Sequence, residues 1–183
     1  MGTYNPSLTL KPVLARGETP QTPSYTDVAR SVDIVSATAG SNGESLSQSY
    51  DDNELSEWKS DGTLKNAWAT YNFGKKQKVY EVVMKLTGWR NKCYPIAICA
   101  GKKEIWRGMT YATLGYVHIP LGKTVETKSI TIRMLGPSTD SNAFGDTKEL
   151  AGGNAGELDR LVSKKGKVEL RIVEIDFLRL TSR

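Results

Sequence analysis

The sequence predicts an all-β fold, an antiparallel β-sandwich of the jelly-roll kind. Three observations carry that expectation. Apolar residues alternate with polar ones at period two through most of the chain from residue 30. Turn signals rich in Gly and Lys separate the runs, and no segment carries a sustained helical stripe. At 183 residues the chain suits one sandwich domain over 30–183, with residues 1–29 as a linker or the tail of a preceding domain. That first segment carries Pro6, Pro12, Pro20 and Pro23 among Ser and Thr, which favours turns over packed structure.

The elements follow in order. SVDIVSATA, residues 31–39, reads as a first strand, and the polar, acidic stretch 40–66 as a long loop. AWATYNF, residues 67–73, alternates again; Gly74–Gln77 reads as a turn, and VYEVVMKL as the next strand, with Tyr80, Val82, Met84 and Leu86 on one face. YPIAICA, EIW, YVHIPL and SITIRML continue the alternation, the last two presenting Val117, Ile119 and Leu121, then Ile130, Ile132 and Met134. Residues 136–167 form a Gly-rich polar insertion with a helical turn expected at GELDRL. In the closing run VELRIVEIDFLRL the apolar parity shifts between Ile172 and Val173, which calls for a bulge or for burial on both faces.

Composition excludes several function classes. No apolar run approaches the ~20 residues of a membrane helix, and MGTYNPSLTL lacks the basic start and apolar stretch of a signal peptide. The single histidine, His118, excludes chemistry that needs two. Its parity is opposite to Val117 and Ile119, so it reads as an exposed strand residue. Cys93 and Cys99, six residues apart along a strand at ~3.3 Å each, sit ~20 Å apart. That is beyond the ~7 Å a disulfide spans, so both read as small core residues. Glu174 and Asp176 share a strand face at a separation open to glycoside hydrolysis, yet nothing else suggests a catalytic cleft, and no enzyme activity is expected.

Charge is unevenly spread. Residues 31–74 carry two basic and seven acidic side chains, whereas residues 75–107 carry nine basic and two acidic ones. The acidic stretch could hold a cation. The basic stretch could meet an anionic partner, an acidic polysaccharide among them, or it could be a solvated face with lysines that guard turns and strand edges. Nucleic acid is not expected, because the basic residues show no regular aromatic interleaving.

The segment Asp51-Asp52-Asn53-Glu54-Leu55-Ser56-Glu57-Trp58 is the most informative. Two side-chain oxygens two residues apart, then a hydroxyl three further on, suit a tight loop around a hard cation. YDDNELSEW resembles the DGDxxTxW signature of discoidin domains, also called coagulation factor type-C domains. AWATYNFGKKQKVYEVVMKL is similar to the strand–turn–strand core of that family, GWRNKCYPIAICAGKKEIWRG to its Arg-bearing loop and following strand, and RIVEIDFLRL to its closing strand. The resemblance covers roughly residues 30–180. It extends to versions appended to bacterial glycoside hydrolases, such as beta-galactosidases of family 2.

The resemblance implies a galactose-binding-like β-sandwich and a non-catalytic carbohydrate-binding module, carried by a polysaccharide-degrading enzyme and located in the periplasm, at the cell surface or outside the cell. It implies a structural calcium ion held by Asp51, Asn53, Ser56, the backbone carbonyl of Gln48 and Glu174. Asp52 replaces the signature's Gly and disfavours a positive φ there. It implies carbohydrate contacts from Lys59, Trp89, Arg90, Asn91 and Tyr94, where an aromatic ring covers a pyranose face and polar groups meet its hydroxyls. Lys59 stands where many galactose-binding members carry His, which opens the way to galactosides or an acidic sugar. Two rival readings stand beside this one. The domain could pack on its parent enzyme without binding sugar, or Trp89, Arg90 and Lys92 could serve an anionic surface. Trp58 reads as core or loop support, Trp68 as facing out or packed beneath a loop, and Trp106 as cover for a sheet edge.

Overall fold

The computed structural model describes residues 27–88, 91–140 and 168–182. Ten strands follow in chain order: β1 (Asp27–Ser31), β2 (Ser36–Ala39), β3 (Trp58–Lys59), β4 (Trp68–Leu86), β5 (Lys92–Cys93), β6 (Pro95–Ala100), β7 (Lys103–Met109), β8 (Val117–Met134), β9 (Thr139–Asp140) and β10 (Arg171–Ser182). Every described pairing is antiparallel. The main path runs β1-β10-β4-β8-β6-β7, with β2 also on β4 and β3 on β10.

Two long strands turn this path into a sandwich. The first part of β4, Trp68–Asn72, pairs with β2 and with the end of β8; the later part, Gln77–Leu86, pairs with β10 and with the start of β8. One layer therefore holds β2, β6 and β7, the other β1, β3 and β10, and β4 and β8 run through both. Expectation and structure differ here. Gly74–Gln77 is not a hairpin turn, and YVHIPL and SITIRML are one strand. The apolar residues flanking each glycine, Tyr71 and Phe73 before Val79 and Val82 around Gly74, and Leu121 before Ile130 around Gly122, all bury in one core. The chain bends through the glycine without reversing. Gly74 and Gly122 take φ of 70° and 71°, a conformation that costs other residues a Cβ clash.

Phe177 of β10 packs at 5.4 Å from the Tyr71 ring and 5.1 Å from Phe73, joining the layers through tilted and edge contacts. Each such buried side chain stabilises the fold by about 1.5–3 kcal/mol through apolar burial. The expected bulge in the closing strand is present: register shifts between Ile172 and Glu174, and both Ile172 and Val173 are buried. The expected first strand is split into β1 and β2, and the expected loop 40–66 contains 3-10 helices at Gly43–Ser49 and Leu64–Asn66. Cys93 and Cys99 are not joined in a disulfide. The GELDRL turn, most of the 136–167 insertion and most of residues 1–29 lie outside the described residues. Among the described residues no helix is long and apolar enough to cross a membrane.

Candidate functional site

Trp58 organises the segment that carries the signature-like residues. Its ring is fully buried, and its indole N–H donates to the carbonyls of Ser41 (3.2 Å) and Asn42 (3.1 Å). The amide of Asn42 in turn donates to the Lys59 carbonyl at 2.8 Å. Strand β3 then pairs Trp58 with Ile172 and Lys59 with Arg171. With Trp58 pinned inward, its neighbours Glu57 and Lys59 face out along the start of β10.

At that end Glu57 accepts from both the Arg171 guanidinium and the Thr87 hydroxyl. Burial pushes the Glu57 carboxyl up, but the hydrogen bonds from Arg171 and Thr87, with the nearby charges of Arg171 and Lys59, outweigh it and hold the carboxyl below its ordinary range. Lys59 is exposed beside this network. Asn91 is exposed in the next turn, where its N–H donates to Gly88 O at 3.0 Å. Tyr94 corrects the expectation. It is only 1% exposed, and its hydroxyl donates to Thr87 O at 2.7 Å. Its ring is core that supports the turn from below and cannot cover a sugar. Trp89 and Arg90 lie outside the described residues. Sequence reading missed Glu57, Thr87 and Arg171. The one signal for them is the position of Glu57 and Lys59 on either side of a buried Trp.

The 51–57 loop folds over the outer face of β10. Glu54 receives the Lys85 ammonium and, at 2.7 Å, the Tyr116 hydroxyl, which fastens the loop to β4 and the start of β8. Within the loop the Ser56 hydroxyl donates to Asp51 and to Asn53 O, and the Asn53 N–H donates to Asp51 Oδ1. Asp52 takes φ of 57°. The expectation that Asp52 disfavours this geometry is overturned, because Asp is among the few L-residues that enter the left-handed region at modest cost.

Beneath the loop lies Glu174, 5% exposed. Its Oε2 is buried with no hydrogen-bond partner among the described residues. Burial pushes its carboxyl up to about 7; the Ile175 N–H opposes this, while the charges of Asp176, Asp52 and Asp51 add to it. A depression of about 400 Å³ beside it is lined by Asp33, Tyr50, Asp52, Glu174 and Asp176. Among the described residues no three carboxylate, imidazole or thiol groups converge at coordinating distance. A cation held here would therefore draw chiefly on neutral oxygens. The set from the sequence has that character: the Ser56 hydroxyl meets Asp51 and the Asn53 backbone carbonyl, the Asn53 side-chain oxygen accepts from the Leu55 N–H, Gln48 lies in the last turn of the preceding 3-10 helix, and Glu174 offers an orphaned oxygen. The residues fit a hard cation.

The remaining aromatic and histidine expectations agree with the structure. Trp68 is half-buried with its indole nitrogen against Gly40, Trp106 is half-buried on β7 at the end of the sheet path, and exposed His118 pairs with Glu81 at 2.9 Å.

No protein-family profile and no curated protein matches this sequence. Solved structures do match in fold. Truncated AlyQ with CBM32 and alginate lyase domains superposes with a TM-score of 0.62 at 15% identity, covering 86% of this chain and 35% of that one. The CBM32 of AlyQ in complex with 4,5-unsaturated mannuronic acid gives 0.59 at 15% identity, covering 81% and 97%. A pectin binding carbohydrate binding module gives 0.51 at 14% identity, covering 80% and 91%. This chain thus spans about a third of the first structure and nearly all of the two isolated modules. The chain therefore shares its fold with these modules: an antiparallel β-sandwich, as the resemblance drawn from the signature-like segment led us to expect.

Proposed function

We propose that this chain is a non-catalytic carbohydrate-binding module that holds a linked polysaccharide-degrading domain near its glycan, outside the cytoplasm. The observation that carries the reading is the end of the sandwich where Lys59 stands beside the Glu57–Arg171–Thr87 network and the turn that bears Asn91. Rigid, oriented charges next to an exposed ammonium can donate to and accept from sugar hydroxyls without reordering on binding. The fold likeness to modules described as bound to a mannuronic acid or as pectin-binding supports the same reading. Tethering would raise the local glycan concentration at the catalytic domain, which needs no chemistry from this chain.

A structural calcium ion belongs to this proposal. Asp51, Asn53, Ser56, the Gln48 carbonyl and Glu174 would hold it, and the ion would supply the positive charge that the buried Glu174 oxygen otherwise lacks. It would tie the 51–57 loop to β10 and so steady the segment that presents Lys59.

A second reading, packing on the parent enzyme, is favoured by one observation. Leu55 is 97% exposed and Leu114 66%, on loops joined by the Glu54–Tyr116 hydrogen bond. Exposed apolar side chains of this size suit a partner surface.

Titration of the whole chain against a panel of neutral and acidic glycans tests the proposal. Lys59→Ala is expected to weaken the best ligand about tenfold with an unchanged melting temperature, and Trp89→Ala and Arg90→Ala test the two candidates that rest on sequence. A folded chain that binds no glycan would overturn the proposal in favour of the packing role.

A further inference from the structure

A second basic surface lies far from the loop end. Three lysines, Lys75, Lys76 and Lys78, follow the bend in β4, and Lys102 and Lys103 occupy the β6–β7 turn. Lys123 and Lys128 follow the matching bend at Gly122 in β8. All seven are exposed. Topology gathers them: Lys78 pairs in register with Glu126, and Ala100 at the β6–β7 turn pairs with Ile130. The only ion pair described among the seven joins Lys76 to Glu126 at 3.5 Å. Eight residues of β4, 79–86, separate Lys78 from Thr87, about 30 Å of strand, so this surface is distinct from the Lys59 end.

Between the β6–β7 turn and β8 runs an open groove of about 420 Å³, within the roughly 300–1,000 Å³ of ligand clefts. Ala100, Ile105 and Val125 supply apolar wall, exposed Thr124 a hydroxyl, and Lys103 and Lys123 positive charge; the one acid of the lining, Glu126, is paired with Lys76. An apolar strip with hydroxyl and ammonium groups beside it matches a pyranose that carries a carboxylate. The apolar strip covers ring C–H groups, the threonine meets a hydroxyl, and the lysines meet the acid. Nucleic acid fits less well. The groove lining holds no aromatic ring for base stacking. Its cations are all lysine, without the arginine forks that grip phosphate in bidentate fashion.

We infer that the groove between the β6–β7 turn and β8 is a second binding site, for a run of uronic acid residues in an acidic polysaccharide, with Lys103 and Lys123 pairing sugar carboxylates and the other lysines steering the chain. The site does not rest on the Lys59 end, and a failure at one leaves the other standing.

The test is affinity electrophoresis and calorimetry of the full chain with polygalacturonate, its fully methyl-esterified form, and single-stranded DNA of matched length. Polygalacturonate is expected to bind, to weaken as salt rises, and to lose about tenfold in affinity with the surface double variant Lys103→Gln/Lys123→Gln. The methyl ester should bind at least tenfold more weakly, because its carboxylates are capped. Lys65→Gln, at an exposed lysine that belongs to neither site, should leave polygalacturonate binding unchanged. Circular dichroism and the melting temperature check that the double variant is folded; if it is not, Lys123→Gln alone should lose about threefold. No polygalacturonate binding by the parent chain would overturn the inference. So would binding that survives both groove variants, binding lost only with Lys59→Ala, or DNA bound as tightly as polygalacturonate.

Discussion

Two glutamates meet the start of β10, and the chain treats them in opposite ways. Glu57 is half-buried and carries two donors, the Arg171 guanidinium and the Thr87 hydroxyl. Glu174, three residues beyond Arg171, is more deeply buried and has an oxygen with no described partner. In the strand register Glu174 lies opposite Lys85, but the Lys85 ammonium reaches Glu54 of the covering loop, 2.5 Å away. One carboxyl is held below its ordinary range and the other pushed up to about 7. The difference teaches that burial alone does not set a carboxylate's role. Burial with a matched cation makes a rigid polar ledge, whereas burial without one leaves an unmet need for positive charge or a proton.

The largest effect expected from this contrast is calcium dependence. If Glu174 faces a calcium ion, complete chelation lowers stability by about 2.7 kcal/mol relative to calcium at a hundred times its dissociation constant. Differential scanning calorimetry with and without chelator reads this directly, and superimposed transitions would remove the ion from the account.

Next comes the partnered glutamate. Arg171→Met strips Glu57 of its cation and should cost about 1–2 kcal/mol in urea unfolding, the partial exposure of the pair keeping it below the cost at a fully buried one. Combining it with Glu57→Gln should recover part of that loss. Strict additivity of the two variants would show that the pair is not coupled.

Glu174→Gln sharpens the contrast from the other side. Removing the charge but keeping the shape should stabilise the chelated protein by about 1 kcal/mol while abolishing its response to calcium. A destabilised chelated protein that still responds to calcium would show that Glu174 is neither an uncompensated charge nor a ligand.

The smallest effect is in pH. The Glu57 carboxyl is lowered in the folded chain, so its pairing contributes stability above the ordinary glutamate value of 4.5. That contribution is lost as pH falls through the lower folded value. Between pH 6 and pH 3 the parent chain should lose more stability than Glu57→Gln, by less than about 1 kcal/mol given the exposure of the pair. Parallel pH curves would argue that the Arg171 contact contributes nothing in solution.

The all-β class, the core faces of the later strands and the parity shift after Ile172 were legible in the sequence. All follow from period-two alternation, which depends only on neighbours along the chain. The signature-like segment likewise singled out Asp51, Asn53 and Ser56, whose hydrogen bonds with one another are local. What tertiary structure decided are the relations between distant residues. Gly74 and Gly122 look like turns by composition, yet apolar residues on both sides share one core and the chain bends there without reversing. Tyr94 looks like a loop aromatic, but its ring fills the core beneath Thr87. Arg171 became the partner of Glu57 only when β3 paired with β10, across 114 residues. Alternation states which side of a strand a residue faces. Which carboxylate finds a cation, and which is left without one, is set by how the layers close.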